Sequence, residues 1–186
     1  MTIPILVTPH LRLRPWTSED APALFRILQE ADIFQYFPPS TPPSLEKTGR
    51  YIAHQLSHWQ ARGYGHWAVV TAEDGKVVGW NGLEYLPETG ETEVAYLLSR
   101  GVRGRGLATE AARAAVQFGF DNAGLDQIIG LVHPENIPSV RVLEKCGLTF
   151  ADPITLWGLD MHRYRIQRAN YARLREAAAA RSPSRS

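Results

Sequence analysis

Two arginines and two glycines alternate where an apolar segment runs into a helix. They are Arg103, Gly104, Arg105 and Gly106, within LLSRGVRGRGLATEAARAA from Leu97 to Ala115. Gly104 and Gly106 permit a tight turn that leaves main-chain amides uncovered. A helix starting at Leu107 adds the unpaired N–H groups of Leu107, Ala108 and Thr109 and the positive end of its dipole. Arg103 and Arg105 bring side-chain charge to the same place. Such a junction suits an anionic diphosphate. A P-loop would need Gly-Lys-Ser/Thr, but Leu107 and Ala108 follow Gly106. A dinucleotide fingerprint would need a third glycine where Thr109 stands.

A second segment carries chemistry some thirty residues further on. Asp126 to His133 (DQIIGLVH) is apolar and β-branched, which predicts a buried strand. Asn136 then suits a helix N-cap, Pro138 the first turn, and Gly147 the C-terminal stop. The pattern Arg103-x-x-Gly106-x-Ala108 after a strand, followed by Asn136-x-x-Ser139 after a second strand, resembles the GNAT superfamily of N-acetyltransferases. The resemblance covers residues 8 to 167 and is nearest to the branch containing the ribosomal-protein N-terminal (alanine/serine) acetyltransferases. It implies acetyl-CoA as co-substrate, no metal, and acetyl transfer to a primary amine in a ternary complex. A protein or peptide N-terminus is the favoured acceptor. A small amine (amino acid, polyamine or antibiotic) or a non-catalytic acyl-CoA sensor are the alternatives.

By the same resemblance, the turn from Arg103 to Thr109 holds the pyrophosphate. Leu97 and Leu98 pair with the pantetheine like an added strand, and Asn136 and Ser139 hold its far side. The implied fold is α/β (α+β), a mostly antiparallel sheet splayed at the cofactor site with helices on both faces. The splay lies between the strand ending at Leu98 and the one ending at His133.

Attack by an amine on a thioester needs a neutral nitrogen and a donor for the developing oxyanion, best supplied by a main-chain N–H. The splay implies that donor near Leu98 or Leu97. Glu93, five residues before Leu98, is the leading candidate base. Glu91 shares its face by the two-residue period, and Glu84 on the preceding strand is another neighbour; water is a further option. Many members of the family carry a tyrosine in the helix after Asn-x-x-Ser, but here Leu143 stands in that place. Ser139 is therefore the candidate proton donor, with Tyr164 as another reachable hydroxyl and unassisted departure of the thiolate as the remaining option. The acceptor is expected between the loop at 31 to 43 and the strands carrying Glu84 and Glu93, against Phe34, Tyr36 and Phe37.

Other reactive types read as structural. His54 and His58 have the spacing of a metal pair but lack a third ligand, which predicts a solvated face. Cys146 reads as packed at a helix end, and Glu110 as a partner of the helix dipole. With 20 basic and 19 acidic residues in 186, the net charge of +1 argues against a nucleic-acid partner. One cysteine suits a reducing cytoplasm. Neither a signal peptide nor an apolar run of roughly 20 residues is present, so no membrane association is expected. A monomer and a homodimer both remain open.

These groups must be positioned by a mixed α/β frame. Periodicity predicts a strand at Leu11–Arg14, a helix from Thr17 or Ser18 to Gln29, and a loop at 31 to 43. A second helix runs from Ser44 to Arg62. Strands follow at Trp67–Thr71 and Lys76–Leu83, joined by an Asp74-Gly75 turn, then Glu93–Ser99. The helix after the glycine turn reaches Asn122, and the last strands lie near Thr149–Ala151 and Met161–Gln167. One N-acetyltransferase domain is assigned to residues 1–167, with a C-terminal helix (Tyr171 to Ala180) and a disordered tail in 168–186.

Overall fold

A computed structural model describes residues 2–36 and 41–181. The eight strands form one sheet in the order β1-β2-β3-β4-β5-β6-β8-β7. They are β1 (Leu6–Val7), β2 (Leu11–Arg14), β3 (His66–Thr71), β4 (Val77–Leu86), β5 (Glu91–Leu98), β6 (Gln127–Val132), β7 (Thr149–Leu156) and β8 (Leu159–Gln167). The helices are α1 (Ala21–Leu28), α2 (Leu45–Arg62), α3 (Leu107–Asp121), α4 (Ile137–Lys145) and α5 (Arg168–Arg181). Every neighbouring strand pair is antiparallel except β5 and β6, which are joined through the α3 crossover.

The two-residue strand period divides the core. Leu97 packs with Ala68, Val70 and α1 residues Leu24, Ile27 and Leu28 on one face. Val94 and Leu98 pack with α3 residues Ala111, Ala115 and Val116 on the other. Ser44 caps α2 by accepting from the Lys47 N–H at 3.2 Å, as its position before an amphipathic run predicts. Glu110, early in α3, accepts from the Thr8 hydroxyl at 2.6 Å and the His10 N–H at 2.8 Å. It staples the entry to β2 onto α3.

Several boundaries differ from the sequence reading. The short β1 was not anticipated, because two residues carry no period. A 3-10 turn at Ser18–Asp20 precedes α1, since the Asp20 carboxylate is taken by Arg14 at 2.7 Å and by the Thr17 N–H at 2.8 Å. β4 extends to Leu86 and β5 begins at Glu91. The final hairpin is much longer than expected: β7 continues through Pro153 to Leu156. Proline is tolerated there because β7 is an edge strand. Trp157, in the left-handed region at φ 52°, makes the turn. α5 follows β8 directly at Arg168, whose guanidinium donates to the Phe120 carbonyl at 2.7 Å. Phe37 and the last five residues of the tail lie outside the described residues.

Candidate active site

β5 and β6 run parallel but share a single register pair, Glu93 opposite Ile129. Beyond it the two strands part. The Ser99 N–H donates to the Val78 carbonyl at 2.7 Å, so alternation turns the peptide groups of Leu97 toward β4 and those of Tyr96 and Leu98 toward the gap. Of the two leucines expected to face a pantetheine, only Leu98 offers its main chain to the gap; that of Leu97 is engaged by β4. The Leu98 carbonyl already accepts from Arg103 Nε at 3.3 Å. Across the gap, the Leu131 N–H donates to Glu93 Oε1 at 3.0 Å. A side-chain carboxyl thus stands where the next ladder bond would form.

The glycine turn lies at the exposed end of this gap. Gly104 and Gly106 have φ of 76° and 79°, and a Cβ built on either meets nothing within 4 Å. Among the described residues, the N–H groups from Gly104 to Thr109 meet no acceptor. Gly106 caps α3, so these free amides coincide with the positive end of a 15-residue helix. Arg105 approaches Glu73 only to 3.9 Å, and both are exposed, so the contact holds little. The turn is unobstructed and its donor set fits a diphosphate.

α4 closes the opposite wall. Asn136 caps it by accepting from the Ser139 N–H at 3.3 Å. Ser139 Oγ lies 2.8 Å from Tyr96 Oη, which also lies 3.1 Å from the Ser139 carbonyl. Tyr96 was not singled out in the sequence, since its partner is 43 residues away. Leu143 is 1% exposed, and a Cβ on Gly130 would come within 2.5 Å of its Cδ2. The absence of a side chain at residue 130 is what lets α4 sit this close to β6.

A cavity of about 500 Å³ lies between β5 and the α4 wall, lined by Glu84, Glu93, Tyr96, Leu97 and Ser139 among others. Register and alternation place Glu84 and Glu93 on the α1/α2 face, and Tyr96 on the α3/α4 face. The cavity therefore passes through the sheet at the gap. Phe34, Tyr51, Trp80 and Trp157 also line it. Tyr36 lies beside this region rather than in its lining and stacks on His133 at 5.2 Å.

Glu84 and Glu93 face each other directly across β4 and β5. Like charges in that position oppose folding. Among the described residues no lysine or arginine pairs with either carboxyl. Burial, assisted by the nearby Glu84 charge, pushes Glu93 up to about 8 despite the Leu131 N–H. Burial likewise raises Glu84. Behind Glu84 lies His66, 1% exposed and stacked on Trp80 at 4.5 Å. Burial lowers His66 to about 3, so its ring is neutral. Its Nδ1 meets Tyr51 Oη at 2.7 Å, and its Nε2 lies 3.3 Å from Glu84 Oε2, out of line for a hydrogen bond.

Other candidates are committed elsewhere. Glu91 is bound by Arg163 at 2.7 Å, Arg165 at 3.4 Å and Gln127 at 2.9 Å, which removes it as a base. Tyr164 is core, with its ring against Phe150. Cys146 is buried and its thiol is pushed up to about 12 by burial. His58 is not simply solvated: its Nδ1 meets the Tyr64 carbonyl at 2.8 Å, tying α2 to the chain that leads into β3. His54 is exposed.

Residues 10–149 match the model of the acetyltransferase (GNAT) domain. The chain belongs to the GNAT family. An acetyltransferase of Agrobacterium tumefaciens strain C58 is 31% identical, with a TM-score of 0.77 over 90% of this chain and 96% of that one. The N-acetyltransferase p20 of Bacillus licheniformis is 29% identical over 74% of this chain and 78% of the relative. The RimL ribosomal L7/L12 alpha-N-protein acetyltransferase, solved in complex with coenzyme A, shares the fold at 19% identity and a TM-score of 0.76, over 88% and 98% of the two chains. This GNAT protein is an acetyl-CoA-dependent N-acetyltransferase. The open turn from Arg103 to Thr109 and the gap beside Leu98 are the parts of the chain that fit coenzyme A.

Proposed function

We propose that the enzyme acetylates the N-terminal amine of a peptide or protein, with Glu93 as the base. The observation that carries this reading is the carboxyl pair Glu84 and Glu93, half-buried at the apex of the gap without a basic partner. Such a pair favours a cationic guest. An α-amine titrates at about 8 and a lysine-type amine at about 10.4. Moving a proton from the first to Glu93, itself near 8, is almost isoenergetic; from the second it costs about 3 kcal/mol. The matching favours an N-terminal amine over an alkylamine. It also accords with the substrate in the RimL name and with the branch suggested by the sequence.

In this reading the amides of Gly104 to Thr109, with Arg103 and Arg105, bind the diphosphate. Asn136 and Ser139 border the far side of the donor arm. When bound, acetyl-CoA supplies an activated thioester carbonyl. The Leu98 N–H, directed into the gap, donates to the carbonyl oxygen. Glu84 holds the incoming ammonium with Tyr51 and His66 behind it, and Glu93 accepts the proton. The aromatic walls exclude water from the reacting nitrogen. Residues 1–167 form the catalytic domain. A cytoplasmic setting accords with a lone, buried thiol; among the described residues no helix is long and apolar enough to cross a membrane.

Free-thiol release from acetyl-CoA tests this directly, with peptides bearing free N-termini set against alkylamines, polyamines and aminoglycosides. Faster turnover of the peptides is expected. Preference for a small amine would overturn the acceptor assignment. Coenzyme A binding without release from any amine would replace the enzyme with a sensor.

A further inference from the structure

We propose that Tyr96 is a positioning residue for the leaving sulfur: its one phenol proton, within reach of both the Ser139 carbonyl at 3.1 Å and Ser139 Oγ at 2.8 Å, turns to Oγ and frees the serine proton to bond the departing thiolate. This rests on the transferase reading above but adds a residue from the opposite wall of the gap. The two hydroxyl oxygens are 2.8 Å apart, and both border the same cavity as Glu93. Tyr96 stands three residues beyond Glu93, the one register position β5 shares with β6, and its own peptide group faces the gap. Its side chain leaves the sheet toward α4, on the face opposite Glu93.

The separation of faces gives each group a distinct task. The proton lost by the amine goes to Glu93 on the α1/α2 face. The electron pair of the breaking C–S bond goes to sulfur, on the side of Ser139 and Tyr96. No proton needs to cross the sheet. The new C–N bond forms between the two faces, and the thiolate is protonated by solvent after release. Burial raises the Tyr96 phenol, which keeps it a donor throughout.

Leu143 makes this arrangement necessary. α4 has no phenol at that position, and the leucine is locked over Gly130. Ser139 alone has a hydroxyl free to rotate among several acceptors. A phenol that donates to it both fixes its direction and polarises its proton, since linked hydrogen bonds strengthen one another. The remaining cavity wall here is aliphatic, with Leu97, Leu131 and Leu143 offering nothing to an anion.

The test compares the affinities of coenzyme A and desulfo-coenzyme A by calorimetry at pH 8.5, where a thiol of ordinary acidity is about half ionised. A hydrogen bond to a charged group predicts roughly tenfold preference for the sulfur-bearing ligand in the native protein. Tyr96→Phe should reduce that preference at least threefold while leaving desulfo-coenzyme A affinity unchanged; Ser139→Ala should reduce the preference, read as the ratio of the two affinities, by at least as much. The unchanged affinity reports that the fold is intact. If Tyr96→Phe keeps the native preference, or the native protein shows none, the inference is overturned and the transferase reading stands. Should neither ligand bind the native protein, the reading of the site as a coenzyme A site falls, and this inference with it. If Tyr96→Phe does not fold, Ser139→Ala decides, because an unaltered preference there removes the proposed donor.

Discussion

Glu91 and Glu93 sit two residues apart on one face of β5, yet their surroundings differ in kind. Glu91 lies between Arg163, Arg165 and Gln127, with Asp152 completing the cluster through Arg163 at 2.8 Å. Its charge is matched. Glu93 faces another glutamate and has one main-chain N–H as its hydrogen-bond donor. A matched carboxylate contributes to the stability of the strand pairing; an unmatched, half-buried one opposes folding and is free to exchange a proton. The same residue type, separated by about 7 Å of strand, is charge-paired in one position and left without a counter-charge in the other. The packing of the β7–β8 hairpin decides which, because Arg163 and Arg165 reach only one of them.

Replacing each glutamate should separate the two roles. The largest effect is expected from Glu93→Gln, which lowers turnover by more than tenfold near neutral pH and leaves coenzyme A affinity intact. An unchanged rate would remove Glu93 as the base. The pH profile sharpens the assignment: native turnover should climb as pH passes through about 8, where Glu93 loses its proton. In Glu93→Gln that component of the rise should vanish.

Glu91→Gln should act on stability instead. Loss of a charge-assisted pair costs about 1–3 kcal/mol, a fall of roughly 2–12 °C in Tm for a chain of this size. Turnover of the folded fraction should remain within about threefold of native. A tenfold loss would place Glu91 in the chemistry and erase the contrast.

The smallest effect lies in the pH dependence of stability. Glu93 has its folded pKa raised to about 8 from 4.5, so the folded state holds a proton that the unfolded chain has already lost. The associated stabilisation is complete below about 4.5 and declines as pH rises toward 8. The Tm of the native protein relative to Glu93→Gln should therefore fall across that interval. Parallel curves would show that Glu93 is not shifted.

The glycine turn was legible because its chemistry is local: left-handed glycines, free amides and a helix start are all set by adjacent residues. The Asn136 cap was legible for the same reason. Glu93 could be nominated from its place before the turn, but nothing local distinguished it from Glu91. Tyr96 needed α4 brought against β5. One signal was available, since the strand period puts a lone hydroxyl on the Val94–Leu98 face that is otherwise apolar there.

The sequence by itself determined most of the elements, the open glycine turn at the start of α3 and the family, because backbone preference and short-range hydrogen bonding act over a few residues. Tertiary structure alone decided where the sheet opens, which carboxyl lacks a counter-charge and which hydroxyls meet across the gap. Those properties depend on desolvation and on distances between segments remote in the chain, and neither exists until the strands are in register.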